Sequence, residues 1–550
     1  MTARMSSPTL PIGVVQLTVA SVGSTDVATE RVGIRHWGLA TVLAAVFAVA
    51  VAPAVDPDLF WHLATGRLIV RTHHVPRVDP FSWTVPGRRW IAHEWLTEVA
   101  FHGLYRLGNW PALVLIAAIV ITLGWLVVHR TARNLGARAG WSGFMMALAA
   151  LSSVHTWGVR PQMLSLLLSA VAMQRLQRWH VGLSKRVPWE LVPMCLLWAN
   201  LHGGFIFGVV IVVIFAIGTT LETLVSPHFA PGLAIRLRGG RTVRTGRDVT
   251  AIWGLAVACT LATLVTPNGL AGLLYPFTYL GNNASTRYVG EWFAPRFSNP
   301  QFWPFALLVG LTVLALVRGR RYLGVTELGL MVPFCALGIQ SVRNITLAAI
   351  ICAPIVATAF TRRDDVAFEA RQARLAAKRT NRANAPGARR DVTPQQATRI
   401  VGSFLGLAIV ALMVFTTGDL RVGATTAAQA KTQSPAAAQW LSAHPGGHLL
   451  NHYNFGGWLI SHDIRVYVDG RPDMYGDAYM DQYVRMVSMK GDWRAEMARR
   501  GIDRVLMPPA NGLLKVLRKD PRWHVETADA AAVLLVQTPQ ANQGNRSANK

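Results

Sequence analysis

Charged side chains are scarce in this sequence, at 15% of 550 residues, whereas hydrophobic residues make up 52%. An ordinary soluble globular chain carries about a quarter of charged residues, so this composition excludes that class and predicts a polytopic membrane protein. Acidic residues are scarcer than basic ones: the sequence has 28 Asp and Glu and 54 Lys and Arg, which gives a net charge of +26. The basic residues lie in short blocks between apolar segments, a pattern that orients spans in a bilayer, and no nucleic-acid partner is expected.

Cysteine is also rare, and all four cysteines lie inside apolar runs. They therefore predict no disulfide framework, and no Cys/His metal cluster is visible. The sequence also has no Gly-rich phosphate loop and no Gly-x-Ser-x-Gly nucleophile motif. Nucleotide-driven chemistry is therefore not expected.

What the sequence does have is apolar segments, about eleven of which are long enough to cross a bilayer, some with tilt. They are Trp37–Val55, Pro111–Val128, Trp141–Val154, Met163–Met173, Val187–Trp198, Phe205–Leu221, Thr250–Val265, Phe302–Val317, Val325–Ile339, Ile345–Phe360 and Val401–Thr417. Lys and Arg cluster in alternate connections, which are therefore expected in the cytoplasm. The predicted fold class is an α-helical polytopic membrane protein of about eleven spans with a small C-terminal extracytoplasmic α/β domain.

The predicted organisation begins with a cytoplasmic, disordered segment at 1–36 and a transmembrane domain at 37–417. That domain contains a first outer loop at 56–110 and a basic cytoplasmic linker at 362–399. The extracytoplasmic α/β domain covers 418–537, and a disordered tail covers 538–550. In the α/β domain, period and composition predict strands and helices. The strands are His448–Asn451, Arg465–Asp469, Arg504–Met507, His524–Thr527 and Ala531–Gln537, and the helices are Pro435–Ala443, Asp477–Val487, Asp492–Arg500 and Gly512–Arg518.

Two aspartates, Asp56 and Asp58, follow the first apolar segment directly. Carboxylates at a membrane edge are more often functional than ordinary surface acids, although two solvated loop side chains are the alternative. Two carboxylates at this spacing suit general-base catalysis or a divalent cation such as Mg²⁺ or Mn²⁺. Asp56 and Asp58 are therefore the candidate catalytic residues and the candidate metal ligands.

Other polar side chains lie in connections predicted to share that outer side. Arginine at a span end is costly unless it is paired or solvated, and its planar fork suits phosphate. Arg160 and Arg343 are therefore candidates for holding a lipid phosphate, the alternative being simple contact with headgroups. Glu291, Arg471 and Asp473 are further candidates for contact with substrate, sugar or peptide. The remaining candidate substrate-binding residues are His62, Asp79, His93, Glu94, Gln162, His202 and Asn268.

Many spans, an acidic pair directly after the first span, basic inner connections and a C-terminal outer α/β domain together resemble bacterial type C (GT-C) glycosyltransferases. That class includes protein O-mannosyltransferases and aminoarabinose transferases. The part of the resemblance that is specific in sequence is Asp56-Pro57-Asp58 and the loop that follows.

This resemblance implies transfer of a hexosyl or pentosyl group from a polyprenyl-phosphate-linked donor to an extracytoplasmic glycan, lipid or protein. The protein would be a multi-pass protein of a bacterial plasma membrane, with its N-terminus in the cytoplasm. Asp56 or Asp58 would act as general base or hold a divalent metal against the donor phosphate. Arg160 and Arg343 would stabilise the departing lipid phosphate, and His62 and His202 would orient either partner.

Two other functional classes stay open from the sequence. A transporter or flippase of a lipid-linked or small polar substrate would use the same carboxylates for protons or cations. It predicts polar residues deep within several spans, whereas here they cluster at span ends. A non-catalytic scaffold for envelope assembly would instead act through the C-terminal domain.

Overall fold

The structure, a computed structural model, describes residues 30–51, 55–224, 244–279, 281, 283–319, 323–379 and 428–538. Most of the predicted N-terminal segment 1–36 lies outside these residues, as do the span predicted at Val401–Thr417 and the tail from residue 539. The predicted basic linker 362–399 is described only as far as Arg379, where it continues a helix.

Thirteen described α-helices precede residue 380, and most of them pack around one apolar core, in which Trp125, Phe215 and Phe334 are buried. They are α1 (Glu30–Ala50), α2 (Pro57–Thr72), α3 (Trp95–Asn134), α4 (Ala139–Ser153), α5 (Gln162–His180), α6 (Leu191–Leu201), α7 (Phe205–Leu224), α8 (Gly246–Ala262), α9 (Gly269–Leu274), α10 (Ala284–Tyr288), α11 (Trp303–Arg318), α12 (Val325–Gln340) and α13 (Ile345–Arg379). Each span predicted between residues 37 and 360 overlaps one of these helices.

Length and composition support fewer crossings than the sequence analysis predicts. Within the described residues, four helical stretches are long and apolar enough to cross a membrane: Trp95–Asn134, Phe205–Leu224, Pro300–Arg318 and Val342–Arg362. Shorter apolar helices lie at Gly38–Ala50, Leu191–Leu201 and Val325–Gln340. A helix rises about 1.5 Å per residue, so the 11 residues of Leu191–Leu201 cover roughly half of the hydrocarbon core. The expected number of about eleven spans is therefore not confirmed.

Helix α2 begins where the sequence analysis placed an irregular outer loop. Asp56 caps the helix, because its Oδ1 accepts a hydrogen bond from the Asp58 N–H at 2.9 Å. Pro57 takes the first helical position, where a missing N–H costs nothing. The acidic pair therefore belongs to a helix N-terminus, and α2 gives it a fixed geometry.

Helix α3 is divided into two arms by a kink. The first arm ends at Gly108 and Asn109, whose backbone angles are not helical, just before Pro111. A proline has no N–H to donate and its ring collides with the preceding turn, so a kink is expected there. The first arm carries Glu98 into the region beside α2.

The C-terminal part is a small α/β domain, as the sequence pattern predicts. Its helices are α14 (Pro435–Ala443), α15 (Gly456–Ser461), α16 (Pro472–Tyr475), α17 (Asp477–Val487), α18 (Trp493–Arg499) and α19 (Gly512–Leu517), and its strands are β1 (Leu449–Asn451), β2 (Arg504–Met507), β3 (Trp523–Ala528) and β4 (Val533–Gln537). The strand order is β1-β2-β4-β3, with β1 and β2 parallel and the other neighbours antiparallel.

The strand predicted at Arg465–Asp469 is wrong, because this segment does not join the sheet. It is extended, and Val466 forms a parallel bridge with Ser82 of the first outer loop. Val466, Tyr467 and Val468 are fully buried. Their apolar character therefore reflects burial between the domain and that loop.

The C-terminal domain and the start of α2 share one hydrophobic core. Trp61 and Ala64 of α2, with Trp90 of the first outer loop, are buried in the same cluster as the domain's own apolar residues. Contact is close, since a Cβ added at Gly457 would lie 2.2 Å from the carbonyl oxygen of Pro57. This packing places the domain directly over the acidic pair.

Candidate active site

A cavity of about 730 Å³, its open mouth included, lies where the C-terminal domain meets the start of α2. Its lining comes from α2, the first turn of α3, the turn before α5, the segment 275–292 and the loop 470–473. We call it the polar cavity, because many of its lining side chains are charged or titratable. These are Asp58, His62, His93, Glu94, Glu98, Arg160, Glu291, Arg343, Arg471 and Asp473.

Arg160 joins the two predicted catalytic aspartates to Glu291. Its Nε lies 2.6 Å from Asp56 Oδ2, its Nη2 lies 3.9 Å from Asp58 Oδ2, and its Nη1 pairs with Glu291 Oε1. Burial disfavours the charged guanidinium, but Asp56, Glu291 and Asp58 outweigh it and raise the pKa of Arg160. Arg160 is therefore a fixed cation at the floor of the cavity.

Asp56 and Asp58 differ in how their carboxylates are engaged. Asp56 is occupied on both oxygens, by the cap of α2 and by Arg160. Asp58 Oδ1 accepts a hydrogen bond from Trp61 Nε1 at 3.2 Å, and the side chain lines the polar cavity. Burial and then the charge of Asp56 raise the pKa of Asp58 to about 7, against the opposing effect of Arg160. Asp58 is therefore able to exchange a proton near neutral pH.

A second cavity, of about 740 Å³, adjoins the polar cavity and shares four residues with it, Arg160, Gln162, Glu291 and Arg343. We call it the apolar cavity, since away from this junction most of its large lining side chains are hydrocarbon. They include Ile121, Met163, Leu166, Phe207, Leu347 and Ile350. Such a space suits a hydrocarbon chain, and the arginines at its end suit an anionic head group.

Glu291 spaces the two arginines of the junction. Arg343 Nη1 lies 4.0 Å from Glu291 Oε2, and the Arg343 guanidinium lies 5.1 Å from the centre of the Trp292 ring. Burial opposes ionisation of Glu291, but Arg160 and Arg343 outweigh it and lower its pKa. Glu291 is therefore a carboxylate that holds two cations beside one another.

Glu94 lies among three imidazole rings. Its carboxylate oxygens are 3.6 Å from His62 Nε2, 3.6 Å from His93 Nε2 and 3.4 Å from His202 Nε2. Burial opposes ionisation of Glu94, but His93, followed by His62 and His202, outweighs it and lowers its pKa. Against burial, Glu94 in turn raises the pKa of His93, and Glu98 with Glu94 raises that of His62. Two predicted binding residues are thereby favoured as imidazolium ions.

His202 links this cluster to the apolar cavity. Its Nδ1 accepts a hydrogen bond from the Gly204 N–H at 3.0 Å and lies 2.6 Å from Ser165 Oγ. The proton of the neutral ring therefore sits on Nε2, which faces Glu94. Burial lowers the pKa of His202 to about 3, so the ring is neutral at physiological pH. Ser165 and His202 also line the apolar cavity, so a polar path joins the two cavities.

The predicted Mg²⁺ or Mn²⁺ site at Asp56 and Asp58 does not fit this arrangement. Such cations need several converging oxygen ligands. The Arg160 guanidinium instead contacts Asp56 and Glu291 and lies near Asp58. Across the described ranges, no group of three or more His, Cys, Asp or Glu side chains is placed to hold a metal. Positive charge at this point comes from Arg160.

Asp79 and Asn268, two predicted substrate-binding residues, line neither cavity. Asp79 is 3% exposed and accepts a hydrogen bond from Arg471 Nη2 at 2.9 Å. Asn268 donates to the carbonyl oxygen of Ala92 at 3.4 Å. The contacts of both side chains are with the protein itself, and Asp79 ties the first outer loop to the C-terminal domain.

Glu98 and Tyr275 line the polar cavity, although the sequence analysis does not select them. Glu98 follows Glu94 by one helical turn, and this spacing was a usable signal. The sequence contains no comparable signal for Tyr275, because the position of this side chain depends on how the 266–301 connection packs against Asp473. The Tyr275 hydroxyl donates to Asp473 Oδ2 at 2.9 Å.

No protein-family model and no curated protein matches this sequence. Solved structures do match. The archaeal oligosaccharyltransferase AglB from Archaeoglobus fulgidus, solved with an inhibitory peptide and a dolichol-phosphate, matches with a TM-score of 0.51 and 10% identity, over 86% of this chain and 69% of that chain. ArnT from Cupriavidus metallidurans, bound to undecaprenyl phosphate, matches with a TM-score of 0.44 and 15% identity, over 93% of this chain and 100% of that chain. The mycobacterial arabinofuranosyltransferase AftD matches with a TM-score of 0.48 and 13% identity, over 92% of this chain and 40% of that chain.

At such low identity the similarity concerns the fold. The assignment rests on the match to the archaeal oligosaccharyltransferase, at a TM-score of 0.51. A helical bundle followed by a small α/β domain, with the acidic pair at the start of α2, agrees with the resemblance drawn from the sequence. This chain has a GT-C-like fold.

Proposed function

We propose that this protein is a membrane glycosyltransferase that moves a sugar from a polyprenyl-phosphate carrier to an extracytoplasmic acceptor. The observation that carries the proposal is the junction of the two cavities, which Arg160 and Arg343 both line and where Arg160 lies 3.9 Å from Asp58. In support, the archaeal oligosaccharyltransferase that shares this fold was solved with a dolichol-phosphate. The membrane would be a bacterial plasma membrane, with the basic connections in the cytoplasm and the polar cavity opening outside.

The two cavities divide the proposed substrate by its chemistry. The apolar cavity takes the phosphate-proximal part of the prenyl chain, and the junction takes the phosphate. Arginine holds phosphate oxygens with two parallel hydrogen bonds, so Arg160 and Arg343 suit this role. The sugar and the acceptor then occupy the polar cavity, next to Asp58.

In the proposed reaction an acceptor hydroxyl oxygen attacks the anomeric carbon of the sugar. The bond between that carbon and the phosphate oxygen breaks, and the phosphate leaves with the electron pair. Asp58 accepts the hydroxyl proton, for which a pKa of about 7 is well matched at neutral pH. Asp56 does not touch the substrate but positions Arg160 and the first turn of α2.

The negative charge that develops on the departing phosphate is stabilised by the junction. Arg160 and Arg343 are already held by Glu291, so little reorganisation is needed when the charge appears. The rings of His62 and His93, whose pKa values the neighbouring carboxylates raise against burial, favour positive charge on the side of the polar cavity. They orient hydroxyl groups of the sugar or the acceptor.

The test is native mass spectrometry of the detergent-purified protein, with detection of bound polyprenyl-phosphate lipid. We expect the wild type to retain the lipid and Arg160→Ala and Arg343→Ala each to reduce its occupancy about tenfold, because a hydrogen bond to a charged group contributes roughly 1.5–3 kcal/mol. Arg67→Ala is the matched control, since Arg67 lies on α2 but is 42% exposed and pairs with the surface residue Asp463.

Absence of the lipid from the wild type, at detergent levels that preserve other membrane lipids, would contradict the proposal. Equal loss in Arg67→Ala and Arg160→Ala would mean that the arginines act through stability. Flux of the carrier across proteoliposomes, without any change in its sugar, would favour the transporter.

A further inference from the structure

The loop Asp469–Asp473 of the C-terminal domain forms one wall of the polar cavity, against the proposed base. A Cβ added at Gly470 would lie 1.7 Å from Asp58 Oδ1 and 3.0 Å from Trp61 Nε1. The backbone at Gly470 therefore touches the Asp58 carboxylate in a way that only glycine allows. Arg471 and Asp473, on either side of Pro472, line the same cavity.

Three polar atoms on cavity-lining residues have no hydrogen-bond partner among the described residues. They are Glu98 Oε2, Gln162 Oε1 and Arg471 Nη1. Glu98 is 1% exposed and Arg471 is 2% exposed, so bulk water does not surround either side chain. Buried polar groups in native proteins nearly always have a partner, so these three cavity-lining atoms are free to bind the polar groups of a ligand. The set contains acceptors and a donor within one cavity.

A second group of hydrogen-bonding side chains stands on the same wall. The hydroxyl groups of Tyr275 and Tyr279 lie 2.5 Å apart, and Tyr275 donates to Asp473 Oδ2 at 2.9 Å. Burial and then the charge of Asp473 raise the pKa of both tyrosines, so both stay neutral and able to donate. The Trp292 ring stacks on Tyr279 with 5.0 Å between ring centres.

We propose that this wall is the acceptor subsite and that the acceptor is a saccharide. The inference rests on the proposed function and names its acceptor class. A saccharide hydroxyl both donates and accepts, which matches a wall that mixes the carboxylate of Asp473, the guanidinium of Arg471 and the phenol of Tyr275. The apolar face of a sugar ring also packs well on aromatic side chains such as Tyr279 and Trp292.

The position of the wall distinguishes the acceptor from the donor sugar. Tyr275, Tyr279, Arg471 and Asp473 line the polar cavity, and none of them lines the apolar cavity. The donor sugar is bonded to the phosphate and so stays next to Arg160 and the junction. The wall formed by Arg471, Asp473 and Tyr275, which reaches Asp58 through Gly470, is left for the acceptor hydroxyl that Asp58 deprotonates.

The experiment is saturation-transfer difference NMR on the full-length protein in nanodiscs. The probes are methyl α-glycosides of glucose, mannose, galactose and arabinofuranose, with acetyl-Ser-Thr-amide as the peptide probe. We expect at least one glycoside to bind the wild type and the peptide not to bind. Asp473→Asn and Tyr275→Phe should each weaken glycoside binding about fivefold, the effect of losing one hydrogen bond of about 1 kcal/mol.

Asp481→Asn and Tyr288→Phe provide matched controls. Tyr288 OH donates to Asp481 Oδ1 at 2.6 Å, again between the 266–301 connection and the C-terminal domain, but neither residue lines the polar cavity. Thermal unfolding of all four variants shows whether each one is folded. The controls should leave glycoside binding unchanged.

The acceptor subsite would be overturned by no glycoside binding to the wild type, by wild-type binding in Asp473→Asn and Tyr275→Phe, or by binding of the peptide in place of the glycosides. Displacement of the glycoside by polyprenyl-phosphate-glucose, but not by bare polyprenyl phosphate, would assign the wall to the donor sugar and would also overturn it. Failure of the proposed function shows separately, as absence of bound carrier lipid while a glycoside still binds.

Discussion

Asp58 gives the site its clearest dependence on pH. Burial and the neighbouring Asp56 carboxylate raise its pKa to about 7, so the proton leaves Asp58 only as the pH rises through neutrality. A general base must be deprotonated, and the rate of sugar transfer should therefore fall about tenfold per unit below about pH 7. Asp58→Asn should lower the rate about 100-fold or more. The measurement is release of sugar from a polyprenyl-phosphate-linked donor across pH.

Asp463→Asn is the control for this substitution, because Asp463 is 80% exposed and lies outside the cavity. A rate that does not change between about pH 6 and 8, or full activity in Asp58→Asn, would assign the base elsewhere.

Asp56→Asn distinguishes the role of Asp56 from that of Asp58. Asparagine caps a helix as well as aspartate does, so this change removes the ion pair with Arg160 and keeps α2 intact.

Single residues were predictable where their chemistry was unusual for their place in the sequence. Asp56, Asp58, Arg160 and Arg343 were selected because charge at a span end needs a reason. In the structure Arg160 and Arg343 lie at the junction, and Asp56 and Asp58 lie beside Arg160. The bridging role of Glu291 was not predictable. It depends on contacts with Arg160 and Arg343, which lie far from it in sequence and meet only in the folded bundle.

At the scale of elements, α2 and α3 approach so closely that only glycine fits between them. A Cβ added at Gly66 would lie 2.0 Å from the carbonyl oxygen of Glu98. Gly66→Ala should push the helices apart, lengthen the 3.2 Å contact between His62 and Glu98, and cost about 1–3 kcal/mol as overpacking. The unfolding temperature should fall, and sugar transfer should fall with it.

The control is Gly103→Ala, since Gly103 also lies on α3 but a Cβ there meets nothing within 4 Å. Alanine is the better helix former, so this variant should be as stable as the wild type or more so. Thermal unfolding in nanodiscs checks both. Equal stability of the two variants would show that the spacing of α2 and α3 does not depend on Gly66.

Some helices and strands were predictable from the sequence and others were not, depending on the local sequence signals of each one. Asp477–Val487 and Arg504–Met507 occur with the predicted bounds, because period and flanking turns both define them. Helix α2 was missed, although Asp56-Pro57 is a helix-start signal, because the aspartates were interpreted by their chemistry. The segment Arg465–Asp469 looked like a strand because it is apolar, and tertiary contacts decided its partner.

At the scale of the whole molecule, the sequence predicted well which connections contribute to one site. It predicted the number of membrane spans less well. Residues from the connections and the C-terminal domain that were predicted to be extracytoplasmic, within 58–98, 160–162, 275–292, 343 and 453–473, line one cavity. The number of spans was less predictable, since short apolar helices such as Leu191–Leu201 are not distinguished from full crossings by hydropathy.

A buried ion pair between Arg471 and Asp79 joins the C-terminal domain to the first outer loop. Its loss should affect the stability of the domain and the shape of the site together. Arg471 Nη2 lies 2.9 Å from Asp79 Oδ1 and 2.6 Å from Asp469 Oδ2, and all three side chains are at most 2% exposed. Asp79→Asn removes one partner and leaves the buried guanidinium under-compensated, at a cost of about 3 kcal/mol. The C-terminal domain should unfold at a lower temperature, and glycoside binding should weaken because the loop Asp469–Asp473 is no longer held.

Asp463→Asn is the matched control, because the Arg67–Asp463 pair also joins α2 to this domain but is 42% and 80% exposed. An exposed pair contributes about 0–1 kcal/mol, so its loss should leave unfolding and glycoside binding unchanged. Carrier lipid should stay bound in both variants, since Arg160 and Arg343 belong to the helical bundle. Loss of carrier together with glycoside in Asp79→Asn would mean that the domain shapes the junction as well as the acceptor wall. Native mass spectrometry and NMR on the same nanodisc sample distinguish these outcomes.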